Sequence, residues 1–287
     1  MILLAESGST STNWRLVSPT LKIIITQVDT KGLNPFHVSK DEIIAVIEQL
    51  VVPAVLQSVT LDKVSSIYFY GAGCSNDSKK EIIASVLKMI FQNAAIIVDH
   101  DVLASAIACC GDDVGIACIL GTGSNSCVYD GKNIVKTLPS LGYILGDEGS
   151  GTHIGKEFLQ LLLKNKLPSH LLEAFNKKYQ LTALDILNHI YQKEKPGVFI
   201  AGFASFVIDN IEEQSMYNIV HHSFNSFFDE FILPYPESKS YPINFVGSIA
   251  ALLSDILKDI GSKRNLFVNN IVRYPIDALV DYHLNKF

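Results

Sequence analysis

Two short turns rich in glycine, serine and threonine carry the first chemical signal in this sequence. The first lies in LLAESGSTST (3–12) and the second in ILGTGSNS (119–126). In each, an apolar, strand-like run enters a turn whose backbone N–H groups can face an anion, with hydroxyl groups to assist. One such turn is commonly an ordinary hairpin. Two of them, each followed by more strand-like sequence, predict a duplicated unit that holds the polyphosphate of a nucleotide and performs phosphoryl transfer.

Carboxylates at the ends of predicted strands are the candidates for acid–base chemistry, because an acceptor hydroxyl needs a general base. These candidates are Asp99, Asp101 and Asp147. Asp101 begins a helix of small residues, and helix capping is the alternative role for it. Asp147 opens a helix within GDEG (146–149), where it can accept hydrogen bonds from sugar hydroxyls. The alternative is an N-capped helix with an acidic first turn. We interpret His153, in the same helix, as a packing residue rather than a metal ligand.

The composition favours a globular protein of two domains. The chain has 287 residues, of which 48% are hydrophobic and 18% charged, which excludes a disordered protein. The net charge is −6 and there is no basic run, so nucleic acid and anionic membranes are excluded as expected partners. Both glycine-rich turns lack lysine, so ATP would be held by backbone amides and a metal ion.

The cysteines and the start of the chain indicate an intracellular protein. Five cysteines occur without CxxC spacing: Cys74, Cys109, Cys110, Cys118 and Cys127. Reduced, mostly buried thiols are the favoured interpretation, and zinc or an iron–sulfur cluster is the alternative. The opening MILLAESG is too short an apolar run for a signal peptide, and no stretch is long enough to span a membrane. We therefore expect a cytoplasmic location.

The hydrophobic pattern predicts one order of elements, βββαβαβα, twice along the chain. Predicted strands at Ile2–Ala5, Trp14–Ser18 and Lys22–Gln27 begin the first copy. Ser39 and Glu42 form a capping-box signature before an amphipathic helix. The second copy restarts near residue 114 and contains a helical insertion at about 149–233, broken near its prolines. The repeat predicts an α/β fold of two mixed sheets flanked by helices, with a ligand cleft between the copies.

The chain resembles the N-acetylglucosamine kinase branch of the sugar kinase/heat-shock protein/actin superfamily, within the BadF/BadG-type ATPases. The matching segments run in order from end to end: ESGSTST with Trp14 (6–14), GLNPFH (32–37), FYGAGC (69–74), HDVLASA (100–106), ILGTGSNS (119–126), LGDEGSG (145–151), IAGF (200–203), VGSIA (246–250) and PIDALVDYH (275–283). GTGSN and GDEGS are each moderately specific for this family, and together with VGSIA they are highly specific for it.

The resemblance implies duplicated ribonuclease H-like (actin-like ATPase) domains and a function. The N-terminal domain would comprise 1–110 plus 275–287, and the C-terminal domain 111–274 with its insertion. The function implied is ATP-dependent, Mg²⁺-dependent phosphorylation of the 6-hydroxyl of an amino sugar, most simply N-acetylglucosamine. The partners would be ATP and the amino sugar, and a homodimer is one arrangement that the sequence allows.

The resemblance also assigns residues to roles. Asp101 matches the catalytic base, and Asn34, Gly146 and Asp147 match the sugar-binding positions. The ATP-binding positions are Gly8, Ser9, Thr10, Ser11, Gly121, Thr122, Gly123, Ser124, Asn125, Ala201, Gly202, Gly247 and Ser248.

Two departures from the family pattern occur in the first turn. Glu6 stands where the family usually has the aspartate that positions Mg²⁺, and Ser11 stands where close relatives often have lysine. We expect Glu6 to serve the metal through a water molecule. A solvated carboxylate at a strand end is the alternative.

Two other functions remain open at this point. One is a sugar-independent activator ATPase, which would need paired cysteines for a bridging cluster and an acidic second turn that this chain lacks. The other is a sugar-binding regulator without catalysis, supported by Glu6 and Ser11 alone. The sequence leaves the identity of the amino sugar undetermined.

Overall fold

In the computed structural model, which describes residues 1–8 and 10–286, the chain forms two compact units. The first unit comprises Met1–Asp113, Gly131–Ile134 and Tyr274–Phe287, and the second comprises Val114–Asp130 and Val135–Arg273.

The first unit is built on a five-stranded mixed sheet. Its strands are β1 (Ile2–Ser7), β2 (Ser11–Ser18), β3 (Ile23–Lys31), β4 (Ser66–Gly71) and β5 (Ala95–His100). Their order in the sheet is β3-β2-β1-β4-β5. β2 is antiparallel to β1 and β3, whereas β1, β4 and β5 are parallel.

The central strand β1 is buried on both faces, which explains its continuous apolar sequence. Leu3 and Ala5 pack in one core with Trp14. Ile2 and Leu4 pack in another, against the C-terminal helix. Successive side chains of a strand point to opposite faces. Glu6 therefore lies on the same face of β1 as Ile2 and Leu4 and places a carboxyl group at the end of that face.

The helices of the first unit follow the predicted signals. They are α1 (Lys40–Val46), α2 (Val52–Leu56), α3 (Asp77–Ile90), α4 (Asp101–Cys110) and, from the end of the chain, a helix at Pro275–Asn285. The predicted capping box is present: Ser39 accepts from the N–H of Glu42, and the Glu42 carboxylate accepts from the N–H of Ser39. A wider π-helical turn, Ile47–Val51, joins α1 to α2.

The second unit repeats this topology. Its strands are β6 (Gly115–Leu120), β7 (Ser124–Tyr129), β8 (Ile134–Thr137), β9 (Ile243–Val246) and β10 (Val268–Val272), in the order β10-β9-β6-β7-β8. The expected repeated α/β architecture with mixed sheets is therefore confirmed.

Most helices of the second unit lie between β8 and β9. They are α5 (Gly142–Leu145), α6 (Gly151–Leu163), α7 (Ser169–Tyr179), α8 (Ala183–Gln192), α9 (Pro196–Gly202), α10 (Ala204–Asp209) and α11 (Gln214–Phe227). Pro168 and Pro196 stand at the starts of α7 and α9, where a missing N–H costs least. After β9 come α12 (Ser248–Leu252) and α13 (Ser254–Lys263), and the C-terminal helix Pro275–Asn285 is α14.

Two element predictions near the C-terminus were wrong. One helix was expected over 248–259, but the backbone breaks at Leu253, between α12 and α13. A strand was expected at 266–268, whereas β10 begins at Val268 and continues through two asparagines. The side chain of Asn244 accepts from the N–H of Asn270, where the pairing with β9 shifts register. The pattern of apolar residues in the sequence contains no information about such a contact.

Among the residues described, no helix is both long and apolar enough to cross a membrane.

Candidate functional site

The first glycine-rich turn closes the β1–β2 hairpin. The N–H of Gly8 donates to the carbonyl oxygen of Ser11 at 2.9 Å, and Thr10 and Ser11 are exposed at the tip. Ser9, also predicted to bind phosphate, lies outside the described residues. The turn therefore presents hydroxyl groups to solvent at the end of the buried strand β1.

Ser7, which the sequence reasoning missed, connects this turn to two other loops. Its hydroxyl lies 2.7 Å from that of Thr12 and accepts from the N–H of Leu33 at 3.1 Å. Its carbonyl accepts from the N–H of Ala72 at 2.7 Å. Ser7 thereby anchors the loop of Asn34 and the turn after β4. Its place in a run of hydroxyl residues contains no signal for this role.

Asn34, a predicted sugar-binding residue, is held in a fixed turn. Its Oδ1 accepts from the N–H of Phe36 at 2.9 Å, and Lys79 of α3 donates to the carbonyl of Pro35 at 2.9 Å. Gly73 has φ 82°, and a Cβ there would stand 2.1 Å from Asn34 Oδ1. Only glycine fits this approach, and the Nδ2 group of Asn34 is left as the one that can donate to a ligand.

The two aspartates that flank His100 have different surroundings. Lys80 binds the Asp99 carboxylate at 2.8 Å, and the N–H of His100 donates to it at 2.9 Å. The N-cap of α4 is His100, whose Nδ1 accepts from the N–H of Leu103 at 3.2 Å. His100 is thus the side-chain cap, but the backbone N–H groups of Asp101 and Val102 also act on the Asp101 carboxylate and lower its pKa against the effect of burial, so the helix-terminus alternative for Asp101 stays open. Asp99 belongs to an ion pair, and Asp101 is the better candidate for chemistry.

Asp101 and Glu6 form a pair of interacting acidic groups. Burial raises the pKa of Asp101 above its usual value. Burial, and then the charge of Asp101, raise the pKa of Glu6 to about 7. Burial and the same charge raise the pKa of the Cys74 thiol to about 12, so this cysteine is no thiolate nucleophile. A cation beside Glu6 would relieve the carboxylate repulsion, so these residues fit a metal ion bound partly by water and phosphate.

The second glycine-rich turn is held against the start of α6. Gly121 donates to the carbonyl of Gly123 at 3.0 Å, and the carbonyl of Gly121 accepts from the N–H of Gly151 at 2.8 Å. A Cβ on Gly121 would meet nothing within 4 Å, so the turn is open on that side. The hydroxyl of Ser124 is buried without a hydrogen-bond partner among the described residues. An open turn with an orphaned donor fits a phosphate group.

Asp147 lies directly on this second turn. Its Oδ1 accepts from the N–H of Ser124 at 3.2 Å, and a Cβ on Gly123 would be 2.9 Å from the same oxygen. Asp147 is 8% exposed, and burial raises the pKa of its carboxyl. The N-cap of α6 is Ser150 and the first turn of α6 contains no acidic residue, so the alternative of an acidic first turn is wrong for Asp147. Lys156 holds the preceding loop by donating to the carbonyl of Tyr143 at 2.7 Å and to that of Gly146 at 3.4 Å.

Some of the other residues predicted to bind the nucleotide also lie around the second glycine-rich turn. Gly247, before Ser248 at the start of α12, approaches the carbonyl of Leu120 so closely that a Cβ would be 2.3 Å from it. A Cβ added to Gly151 would lie 3.5 Å from the Cβ of Ala201 in α9, so these two residues are neighbours. A Cβ added to Gly202 would meet nothing within 4 Å. The side chain of Asn125 accepts from the N–H of Ser126 at 2.8 Å and so shapes β7.

Comparison with solved structures decides the family. A protein of Porphyromonas gingivalis, provisionally described as an N-acetylglucosamine kinase, is 38% identical, covers 99% of each chain and superposes with a TM-score of 0.94. The chain belongs to the N-acetylglucosamine kinase-like family. A second provisionally described N-acetylglucosamine kinase, from Chromobacterium violaceum, shares the fold at 15% identity over 99% of this chain and 98% of that one, with a TM-score of 0.65.

A curated relative lies further away in sequence. The N-acetylmuramic acid/N-acetylglucosamine kinase of Clostridium acetobutylicum is 24% identical over 202 residues, which are 65% of this chain and 63% of that protein. The match thus spans less than two thirds of the curated relative. No family model matches the chain.

In this N-acetylglucosamine kinase-like chain, His153 has packing partners. Its Nδ1 accepts from the hydroxyl of Ser223 at 2.9 Å and from the N–H of Gly149 at 3.3 Å. Burial lowers the pKa of His153 to about 4, so it is neutral near pH 7. Within the described residues, no group of three His, Cys, Asp or Glu side chains could hold a metal ion. His153 therefore supports the Asp147 loop through Gly149.

Proposed function

We propose that this protein transfers the γ-phosphoryl group of ATP to the 6-hydroxyl of an amino sugar, with N-acetylglucosamine as the first candidate. The observation that carries the proposal is the surroundings of Asp101. The neighbouring carboxylate of Asp99 is neutralised by Lys80 at 2.8 Å, and His100 takes the capping role. Asp101 is a partly buried carboxylate whose pKa is raised by burial, the property expected of a general base.

In this mechanism Asp101 orients the 6-hydroxyl and accepts its proton while the hydroxyl oxygen attacks the γ-phosphorus. The bond between that phosphorus and the bridging oxygen breaks, ADP leaves, and the proton passes later from Asp101 to solvent. Asn34 and Asp147 would hold other hydroxyls of the sugar, with the backbone of Gly146 beside them. Their fixed turns keep these groups in place, and positioning of this kind contributes much of the rate enhancement in phosphoryl transfer.

The nucleotide would be held by the two glycine-rich turns, with Gly247, Ser248, Ala201 and Gly202 assigned to the adenosine side. Neither turn contains a lysine. Mg²⁺, when bound, would neutralise charge on the phosphates. Glu6 is our candidate to hold it, through water, since it has a long side chain and a cation there would relieve the repulsion from Asp101 that helps to raise its pKa.

A coupled assay of ADP release, with and without N-acetylglucosamine, tests the proposal. We expect turnover only with sugar, whereas an activator ATPase would turn over without sugar and a regulator not at all. Asp101→Asn should lower kcat by about 10²- to 10⁴-fold, because an amide cannot accept the proton. Its binding of sugar and ATP should stay close to wild type.

Asp99→Asn is the matched control, since it removes a carboxylate two positions away that is already paired with Lys80. We expect its kcat to remain within a few-fold of wild type. Equal losses in the two variants, or near-normal turnover of Asp101→Asn, would refute the assignment of the base. A panel of amino sugars in the same assay then identifies the substrate.

A further inference from the structure

A groove of about 560 Å³ lies on the second unit, between helices α6 and α11. Such a volume is in the range of small-molecule sites. The first residue of α6, Gly151, is bonded to the phosphate turn at Gly121, whereas the groove lies along the C-terminal half of α6 and beyond, from Glu157 to Lys166. The groove is therefore separate from the residues assigned to ATP and sugar.

The two helices run antiparallel along the groove. His153 near the start of α6 contacts Ser223 near the end of α11, and the next turn of α6 contacts the same region through Glu157 and His222. Lys164 follows Glu157 by two helical turns, about 10 Å along the axis. The lysine end of the groove therefore lies where α11 begins.

Three features give that end an affinity for anions. Lys164 and Lys166 both line it and are exposed. The N-terminus of α11, a helix of 14 residues, has no side-chain cap, because the preceding carboxylate of Glu213 lies instead 3.0 Å from His170 Nε2. Ser215, in the first turn of α11, has a buried hydroxyl without a hydrogen-bond partner among the described residues. A phosphate here would meet two ammonium groups and the positive end of a helix, and rotation of the Ser215 side chain would bring its unused hydroxyl to the phosphate.

The rest of the groove has the chemistry of a sugar site. Glu157 at the far end can accept hydrogen bonds from hydroxyl or amino groups. Gln160 and Asn218 offer amides along the flanks, and Leu161 and Ile219 supply apolar contact for the C–H face of a sugar ring. An anion end and an acceptor end about 10 Å apart suit a molecule of hexose phosphate size.

We propose that this groove is a second binding site, which takes a phosphorylated amino sugar with its phosphomonoester at Lys164, Lys166 and Ser215 and its amino or acylamino group towards Glu157. The choice of an amino sugar rests on the proposed function, since that reaction would release such a product. The placement of a phosphate at the lysine end of the groove rests on the residues of the groove and not on the proposed function.

Calorimetric titration of the whole protein with N-acetylglucosamine 6-phosphate tests this site. The titration is run with saturating N-acetylglucosamine, Mg²⁺ and a non-hydrolysable ATP analogue, so that the product cannot enter the catalytic site. We expect one binding event per chain. Lys164→Gln/Lys166→Gln should weaken it by about tenfold to a hundredfold, as for the loss of charged hydrogen-bond partners. Lys177→Gln/Lys258→Gln, which removes two exposed lysines elsewhere on the unit, should leave the affinity within about twofold.

Inorganic phosphate should compete with this event, whereas the saturating N-acetylglucosamine that is already present should not prevent it. The absence of a binding event, or equal weakening by both double variants, would overturn the proposal. All four lysines are exposed, so both variants should fold, and their melting temperatures check this. Failure of the proposed function would show separately, as absence of sugar-dependent ADP release, while lysine-dependent binding persisted.

Discussion

Replacing Glu6 by Gln should remove a measurable part of the pH dependence of this protein's stability. The pKa of Glu6 is raised from 4.5 to about 7 by burial and by the charge of Asp101. The folded state therefore binds this proton more tightly than the unfolded chain does. The contribution of Glu6 to stability is highest below pH 4.5, where Glu6 is protonated in both states. It falls as the pH rises from about 4.5 to about 7, because the unfolded chain has lost this proton while the folded protein still holds it, and it is fully lost once the pH has passed the folded pKa.

The size of the effect follows from the shift. A difference of about 2.5 pKa units corresponds to about 3 kcal/mol. Between pH 5 and pH 8, Glu6 should contribute a loss of about 2 to 3 kcal/mol in the free energy of unfolding. At about 2–4 °C per kcal/mol, the melting temperature of the wild type should fall by about 5–10 °C more than that of Glu6→Gln over this range.

The assay is thermal unfolding of both proteins at intervals from pH 5 to pH 8. Glu6→Asp is the control, because it keeps a carboxyl in the same buried position and should keep most of the pH dependence. Added Mg²⁺ with ADP should raise the melting temperature of the wild type at pH 8 more than that of Glu6→Gln, if Glu6 serves the cation. Parallel pH profiles for wild type and Glu6→Gln would show that Glu6 ionises as an ordinary exposed carboxyl, and the reasoning from burial would be wrong.

Two glycines allow further tests of the site. Gly73→Ala should raise the KM for sugar by about tenfold or more, because its Cβ would displace Asn34. Gly111→Ala controls for backbone strain, since Gly111 has a similar φ of 63° but open space around it. Equal sugar KM values in the two variants would count against a role for Asn34 in sugar binding. Gly123→Ala should push Asp147 off the second turn and raise the KM for sugar more than it lowers thermal stability, which steady-state kinetics and a melting curve measure together. An unchanged sugar KM would remove Asp147 from the sugar site.

The duplicated α/β order was readable in the sequence, because it depends on local signals. Strands alternate or run apolar, turns contain glycine, and the Ser39–Glu42 capping box marks a helix start within four residues. The two glycine-rich turns follow β1 and β6 as predicted, since each completes a hairpin whose partners are adjacent in the chain. Prediction failed at Leu253, where the backbone breaks between two helices, and at β10, where the side chain of Asn244 from β9 contacts the backbone.

The resemblance gave Asp101 and Asp147 different roles, but the surroundings that separate the acidic residues physically are visible only in the tertiary structure. In the sequence Asp99, Asp101 and Asp147 are equivalent carboxylates near strand ends. In the fold Lys80, from another helix, neutralises Asp99, and His100 caps the helix that Asp101 begins. Ser150 caps α6, which leaves Asp147 on the second turn. The reason is physical: a carboxyl group's charge state depends on burial and on partners brought close by folding, and neither property is local in the chain.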